Sequence, residues 1–327
     1  MSMKGKRILV TGSGGFIGSH LTERLLREGA DVRAMIHYNA LGNRGWLENS
    51  ESDDHIEFFN GDIRDTDSVR RAVKDRDIVF HLAALIAIPY SYEAPASYIS
   101  TNIQGTLNIL QAAREFSVER IVHTSTSEVY GTARSVPISE DHPLQGQSPY
   151  SASKIGADKM AEAYHLSFSV PVTTVRPFNA FGPRQSQRAV IPTIIAQCLF
   201  SKTIRLGSLS PTRDMNFVAN IVDGFLLAAQ SPEAIGRTMN IGSGREISIG
   251  DLAELIIRLT GSNIKIKRDR KRERPEKSEV ERLLADSSLA RNLIGWTPKV
   301  DLEEGLKRTI NWIQEHPERY RPDIYAT

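Results

Sequence analysis

Four side chains near the middle of the chain have the types and spacing for proton and hydride chemistry. They are Thr126 and Glu128 in "STSEVYG", and Tyr150 and Lys154 in "YSASK". A Tyr-x-x-x-Lys pair at the start of a helical stretch lies one turn apart on one face. A free phenol ionises near pH 10, so Tyr150 needs help to act as a base near neutrality, and an adjacent ammonium gives it by favouring the phenolate. Thr126 can share a hydrogen bond with the reacting hydroxyl. Glu128 stands just past an apolar run, where a carboxylate is either a general base or a solvated loop residue. Tyr-x-x-x-Lys alone is equally the mark of a surface lysine beside a half-buried tyrosine, and a second motif upstream gives it weight.

That motif is "TGSGGFIG", with Gly12, Gly15 and Gly18 in G-x-x-G-x-x-G spacing after a short apolar run and before the helical "FIGSHLTERLLREG". Glycines let the backbone turn tightly and approach a pyrophosphate, and the helix start, with Phe16 and Ile17, offers free N–H groups and positive partial charge. By itself such a turn is also an ordinary strand-to-helix connection. Two further loops at strand ends fit a dinucleotide: "GDIRD", where Asp62 can accept from an adenine amino group with Ile63 beside it, and "HLAA", where Leu82 and the small Ala83 and Ala84 let backbone lie against the cofactor. An acidic residue about 20 positions beyond the glycines usually bonds the ribose 2′-hydroxyl of NAD. Here Ile36 and His37 occupy that region and Arg44 follows as a 2′-phosphate partner, which leans toward NADP and leaves NAD or NADP open.

The elements that must position these groups read as an α/β chain. Up to Arg176 the β-branched runs "RILVTG", "DVRAMIHY", "IEFFNGD", "DIVFHLAA", "RIVHTSTS" and "VTTVRPF" alternate with amphipathic helical stretches, the pattern of a doubly wound parallel sheet covered on both faces. Beyond Pro177 the helical "RAVIPTIIAQCLFS", "NIVDGFLLAAQ", "IGDLAELIIRLTG" and "LEEGLKRTINWIQEH" mix with short strands "TIRL" and "MNFV", predicting a smaller α/β lobe. The expected division is residues 1–177 for the dinucleotide and 178–327 for the substrate, with a discontinuous boundary.

Composition excludes several classes. The chain has 327 residues, 40% hydrophobic and 24% charged, as expected of a globular enzyme, and its net charge of +2 is too small to imply nucleic acid. The longest apolar stretch, 78–89, is interrupted by His81 and falls short of the roughly 20 residues a membrane-spanning helix needs. The N-terminal apolar run is too brief for a secretory signal, so a cytoplasmic protein is expected. The single cysteine, Cys198, forms no internal disulfide, and no His/Cys spacing suggests a metal.

In order along the chain, "TGSGGFIG", "GDIRD", "HLAA", "TNIQGTLN", "STSEVYG", "SPYSASK", "RPFNAFGPRQ" and "RPEKSEVERLLADSSLA" resemble the extended short-chain dehydrogenase/reductases that act on nucleotide-activated sugars. The resemblance implies a Rossmann-like fold, a tightly bound NAD or NADP regenerated in each turnover, and a hydride-transfer set of Thr126, Tyr150 and Lys154. It also implies support of the site by Asn102 and Thr124, and contacts of Ser127, Asn179, Arg184, Val190, Arg213 and Arg274 with the sugar nucleotide. The basic "KIKRDRKRERPEK" then needs no nucleic acid. Glu128 divides the reactions, since 4-epimerases of this kind generally lack a carboxylate there and 4,6-dehydratases have one. Ser127 departs from the dTDP-glucose enzymes, which carry an Asp before the Glu. Thr-Ser-Glu resembles GDP-mannose 4,6-dehydratases and also UDP-glucuronate decarboxylases. The loop 82–104 holds no Lys, Arg or His, which weighs against a substrate carboxylate. The whole pattern looks most like the N-acetylglucosamine 4,6-dehydratases of legionaminic acid-type pathways. It implies a UDP- or GDP-linked substrate and a homodimer through a four-helix interface.

Overall fold

The computed structural model describes residues 2–48 and 53–322. In its first half strands alternate with helices: β1 (Arg7–Thr11), α1 (Phe16–Arg27), β2 (Asp31–His37), β3 (Ile56–Gly61), α2 (Thr66–Val73) and β4 (Ile78–His81). After two short helices, α3 (Ile88–Glu93) and α4 (Pro95–Tyr98), and a π-helical stretch Ile99–Gln104, come α5 (Gly105–Glu115), β5 (Arg120–Thr124), α6 (Pro149–Phe168) and β6 (Val172–Pro177). All six expected strands are present.

Residues alternate sides along a strand, so β1 places Ile8 and Val10 on one face and Leu9 on the other. Ile8 and Val10 pack with Leu21 and Leu25 of α1, while Leu9 joins Val69 and Val73 of α2 and Ile109 and Leu110 of α5. Both faces are covered, which is why the strands read as continuous apolar runs. Each such buried aliphatic side chain contributes about 1.5–3 kcal/mol, so a charge at Val10 would break the sheet's centre.

The second half contains β7 (Ala180–Phe181), α7 (Val190–Phe200), β8 (Ile204–Leu206), β9 (Thr212–Asp214), β10 (Asn216–Phe217), α8 (Val218–Gln230), β11 (Thr238–Ile241), β12 (Glu246–Ser248), α9 (Ile249–Thr260), β13 (Ile266–Arg268), β14 (Arg282–Leu283), α10 (Ser288–Ile294) and α11 (Leu302–Glu315). The main sheet is parallel, in the order β11-β6-β5-β4-β1-β2-β3. Strand β11 comes from beyond Pro177 and carries no alternating pattern, because its "TMNI" is short and sits at the sheet edge against β6. The remaining strands form three small sheets. Helix α8 packs on the same face as α1 and thereby joins the two halves.

The order of connection reverses between β1 and β4, so the loops after these strands diverge and open a crevice at the strands' carboxyl ends. Among the described residues no helix is long and apolar enough to cross a membrane, and no cluster of three or more His, Cys, Asp or Glu is arranged for a metal ion.

Candidate active site

The crevice widens into a cleft of about 1140 Å³ between the sheet edge and the second half of the chain. Its floor is the glycine turn. Gly12 has φ +70°, and a Cβ there would stand 2.9 Å from the Ala83 backbone nitrogen, so the loops after β1 and β4 touch only because the side chain is absent. A Cβ on Gly18 would overlap the Gly12 carbonyl oxygen. Gly15 caps α1 without a side-chain acceptor, which leaves the N–H groups of the first turn free to meet an anion. The Thr11 hydroxyl accepts from the N–H groups of Leu82 and Ala83 at 3.1 Å and holds the "HLAA" loop beside the turn. Gly12, Gly15, Phe16, Ile17, Gly18, Asp62, Ile63, Leu82, Ala83, Ala84 and Thr124 all line the cleft.

Two of the expected cofactor residues are placed differently. The Arg44 guanidinium stacks on Phe58, 4.2 Å from the ring centre, and its neighbours Asn43, Gly45 and Trp46 line the cleft in its place. Asn102 is also outside the lining. Its amide oxygen accepts from Leu85 N (2.8 Å) while its nitrogen donates to Leu85 O (3.0 Å) and Ser153 Oγ (2.9 Å), so it ties the loop after β4 to α6. Asp62 is gripped by Arg64, whose guanidinium holds the carboxyl below its ordinary range.

Helix α6 presents Tyr150 and Lys154. Its start is fixed by a reciprocal cap in which Ser148 and Ser151 bond each other's backbone, with Pro149 in the first turn. Tyr150 is buried at the cleft beside Thr126. Burial pushes its phenol above the ordinary value, the neighbouring Thr126 hydroxyl works the other way, and Glu128 adds to the rise. Lys154 donates to the Thr124 carbonyl oxygen at 2.6 Å, and burial lowers it to about 8. Desolvation is thus the largest influence on Tyr150, and the hydrogen bond of the Lys154 ammonium goes to backbone.

Thr126 caps the turn Ser127–Tyr130, its hydroxyl accepting from Glu128 N at 3.3 Å, and this turn aims Ser127 and Glu128 into the cleft. Glu128 is buried, and across from it Arg274 Nη1 lies 3.8 Å from Glu128 Oε2. Arg274 also stands 3.7 Å from Glu279 Oε1, which accepts from Arg213 Nη2 at 3.1 Å. Sequence reasoning missed Glu279, although it lies in the quoted "RPEKSEV" five positions after Arg274. Asn179 lines the cleft with its buried Oδ1 lacking a partner, an acceptor left for a ligand donor. Val190 opens α7 at the cleft wall. Arg184 is at the wall too, but its Nη2 pairs with Glu23 of α1 at 2.9 Å and it leans toward Trp312. Arg188 and Arg272 add further cationic side chains to the lining.

Comparisons with known proteins agree with this geometry. The GDP-mannose 4,6-dehydratase family model matches residues 9–309. The chain is 33% identical to UDP-glucose 4-epimerase of Mycolicibacterium smegmatis, over 94% of this chain and 98% of that one. It is also 33% identical to dTDP-glucose 4,6-dehydratase of Streptomyces griseus, over 98% and 97%. The solved structure of DesIV, a dTDP-glucose 4,6-dehydratase from Streptomyces venezuelae with NAD bound, superposes with a TM-score of 0.88 at 32% identity, covering 97% of this chain and 99% of that one. The chain belongs to the GDP-mannose 4,6-dehydratase family, among the NAD-dependent nucleotide-sugar dehydratases and epimerases of the extended short-chain dehydrogenase/reductase type.

Proposed function

We propose that the protein is a nucleotide-sugar 4,6-dehydratase that converts a UDP- or GDP-linked hexose, in our reading N-acetylglucosamine, to its 4-keto-6-deoxy derivative. The observation that carries this is the Glu128 carboxylate, buried in the cleft close to Tyr150 and Thr126 and facing the Arg274 guanidinium.

The residues present fit NAD or NADP: a glycine turn that a Cβ would fill and an uncapped helix start for the pyrophosphate, with Leu82 to Ala84 and Asp62 on either side. With Arg44 stacked on Phe58, the argument for NADP over NAD rests on the missing acidic residue alone. When bound, the nicotinamide supplies the hydride acceptor, the hydride donor and a positive charge. Tyr150 takes the C4 hydroxyl proton while Thr126 holds that oxygen in line. The resulting C4 ketone acidifies C5–H, Glu128 removes that proton, and water leaves from C6. With hydride delivered to C6 and a proton returned to C5, the sugar shows no net redox change. Ser127 offers no acid for the departing hydroxyl, so Glu128 serves both proton removal and water expulsion. Asn179, Val190, Arg213 and Arg274 hold the sugar nucleotide, with Arg184 at the cleft wall.

One observation favours a second reading. The loop 82–104 supplies no cation, but Arg188, Arg213 and Arg274 reach the same cleft from the second half of the chain, so a substrate carboxylate would find a partner. The argument from the loop against UDP-glucuronate thereby lapses, and uronate decarboxylation is the alternative. The test is incubation with UDP- and GDP-linked N-acetylglucosamine, GDP-mannose, UDP-glucose and UDP-glucuronate, followed by product mass. Loss of one water with deuterium uptake from D2O supports dehydration. Loss of carbon dioxide from the glucuronate, or an epimer of unchanged mass, overturns it. A homodimer through α5 and α6 is part of the same reading, supported by Ile99, Leu166 and Phe168, which expose apolar surface there. Light scattering on the eluted protein tests it.

A further inference from the structure

Behind the cleft lies a buried charge cluster that the scheme above does not use. Asp158 is one turn beyond Lys154 on α6 and is buried. Its Oδ1 accepts from His123 Nε2 of β5 at 3.1 Å. Its Oδ2 accepts from Ser125 Oγ at 2.7 Å and from Arg176 of β6, Nη2 at 3.0 Å and Nε at 3.2 Å. Arg176 Nη1 donates onward to the Tyr130 hydroxyl at 2.9 Å, which donates to Asn240 Oδ1 on β11 at 2.7 Å. One carboxylate thus links β5, β6 and α6 directly behind Thr126, Tyr150 and Lys154.

Its place has two consequences. Ser125 directly precedes Thr126, so the bond from Ser125 fixes the backbone that presents Thr126 to Tyr150. The Lys154 ammonium, out of water, has Asp158 as the anion on its own helix. We propose that Asp158 is a positioning residue for the Tyr150–Lys154 pair, whose carboxylate clamps the Ser125–Thr126 segment to α6 and stands as the counter-charge one turn along the helix from Lys154. The inference rests on the reading of Tyr150 and Lys154 as the hydride-step pair.

The charge balance around the pair can be stated from every side. Tyr98 of α4 and Glu128 of the turn after β5 face Tyr150. His81 of β4 and His123 of β5 stack on one another, and burial pushes both well toward the neutral form. Arg176 is a second buried cation, held charged by Asp158 and Tyr130. Two cations, Lys154 and Arg176, therefore share Asp158, while a second carboxylate, Glu140, lies at the far end of the network, accepting from Asn240 N at 2.7 Å. Removing Asp158 takes away the anion that opposes the desolvation of Lys154, and its proton is lost at lower pH.

The test uses the NAD-loaded enzyme with lysines labelled at 15Nζ and 13Cε, the Lys154 resonance being assigned by its loss in Lys154→Met. Its ionisation midpoint is followed by NMR in the wild type, Asp158→Asn, Asp158→Glu and Ser125→Ala. The expected wild-type midpoint is about 8. Asp158→Asn, which keeps an acceptor for Ser125 but no charge, lowers it by about one unit or more. Asp158→Glu restores most of the shift. Ser125→Ala leaves the midpoint in place and cuts kcat roughly 10-fold at unchanged KM and Tm, because Thr126 loses its anchor. A merely structural Asp158 would lower Tm in Asp158→Asn and leave the midpoint where it was, which overturns the proposal. Should Asp158→Asn not fold, a wild-type midpoint below about 7, or a Ser125→Ala enzyme with wild-type kcat, overturns it as well. The midpoints need no turnover, so a failure of the dehydratase reading shows separately, as unaltered sugar nucleotides beside shifted midpoints.

Discussion

Replacing Glu128 by Gln keeps the side chain's shape and removes its ability to take a proton. Its nearest charged partner is Arg274 Nη1 at 3.8 Å, and its charge also acts on the buried Arg213. Glu128 is buried, so removing its charge costs stability about 1–3 kcal/mol. The catalytic loss is larger. A positioned general base supplies about 10²–10⁴-fold, which is roughly 2.7–5.4 kcal/mol of barrier at 1.36 kcal/mol per decade. Oxidation at C4 depends on Thr126, Tyr150 and Lys154, all retained, so the variant should reduce its bound cofactor and then stall. The assay mixes enzyme and sugar nucleotide in a stopped-flow cell and follows reduced cofactor at 340 nm, with parallel samples quenched for product mass and C5 deuterium. The expected result is wild-type formation of reduced cofactor, its accumulation in place of transient appearance, and water loss slowed at least 100-fold. Dehydration within about threefold of wild type would remove Glu128 from the chemistry. Equal loss of both steps would show that Glu128 serves the first step, a role the geometry does not give it.

Other outcomes follow from the same site. Burial lowers Lys154 to about 8, so its ammonium is present below that pH and lost above it, and kcat should fall as pH rises through about 8 in a steady-state profile. Gly18→Ala drives a methyl group into the Gly12 carbonyl oxygen and should leave a chain that retains no NAD(P) after desalting, read from cofactor released on denaturation. Glu279→Gln frees Arg213 and Arg274 from their shared carboxylate. Initial rates should show KM for the sugar nucleotide raised about 10-fold, equivalent to about 1.4 kcal/mol, with kcat within about twofold.

The parts of the site that local sequence encodes were legible before any coordinates. The glycine turn, the Tyr-x-x-x-Lys pair at the start of α6 and the six apolar strands are each written in neighbouring residues, because turn geometry, helical spacing and burial on two faces act over a few positions. What was not legible depends on which distant segments meet. Arg44 was read as a phosphate partner from its distance to the glycines, but Phe58, across the loop on β3, offers its ring to the guanidinium. The loop 82–104 holds no Lys, Arg or His, which weighed against a substrate carboxylate, yet the cations of the cleft come from 188, 213 and 274, in the second half of the chain. Asp158 carries no signal in its neighbouring residues. Only the convergence of β5 and β6 on it shows that it is buried and fully engaged.

Strand β11 has a further consequence for how the molecule is made. Thr238–Ile241 supplies the edge neighbour of β6, so during synthesis that strand waits with open backbone N–H and C=O groups while the following sixty residues emerge. An unpaired apolar strand of this kind is a template for association with other chains. A fragment ending at Pro177 would carry every glycine of the cofactor turn and both Tyr150 and Lys154, and still display that open edge. The first half thus holds the residues of the hydride step, and its sheet is completed by a strand from the half of the chain that sends Arg213 and Arg274 into the cleft.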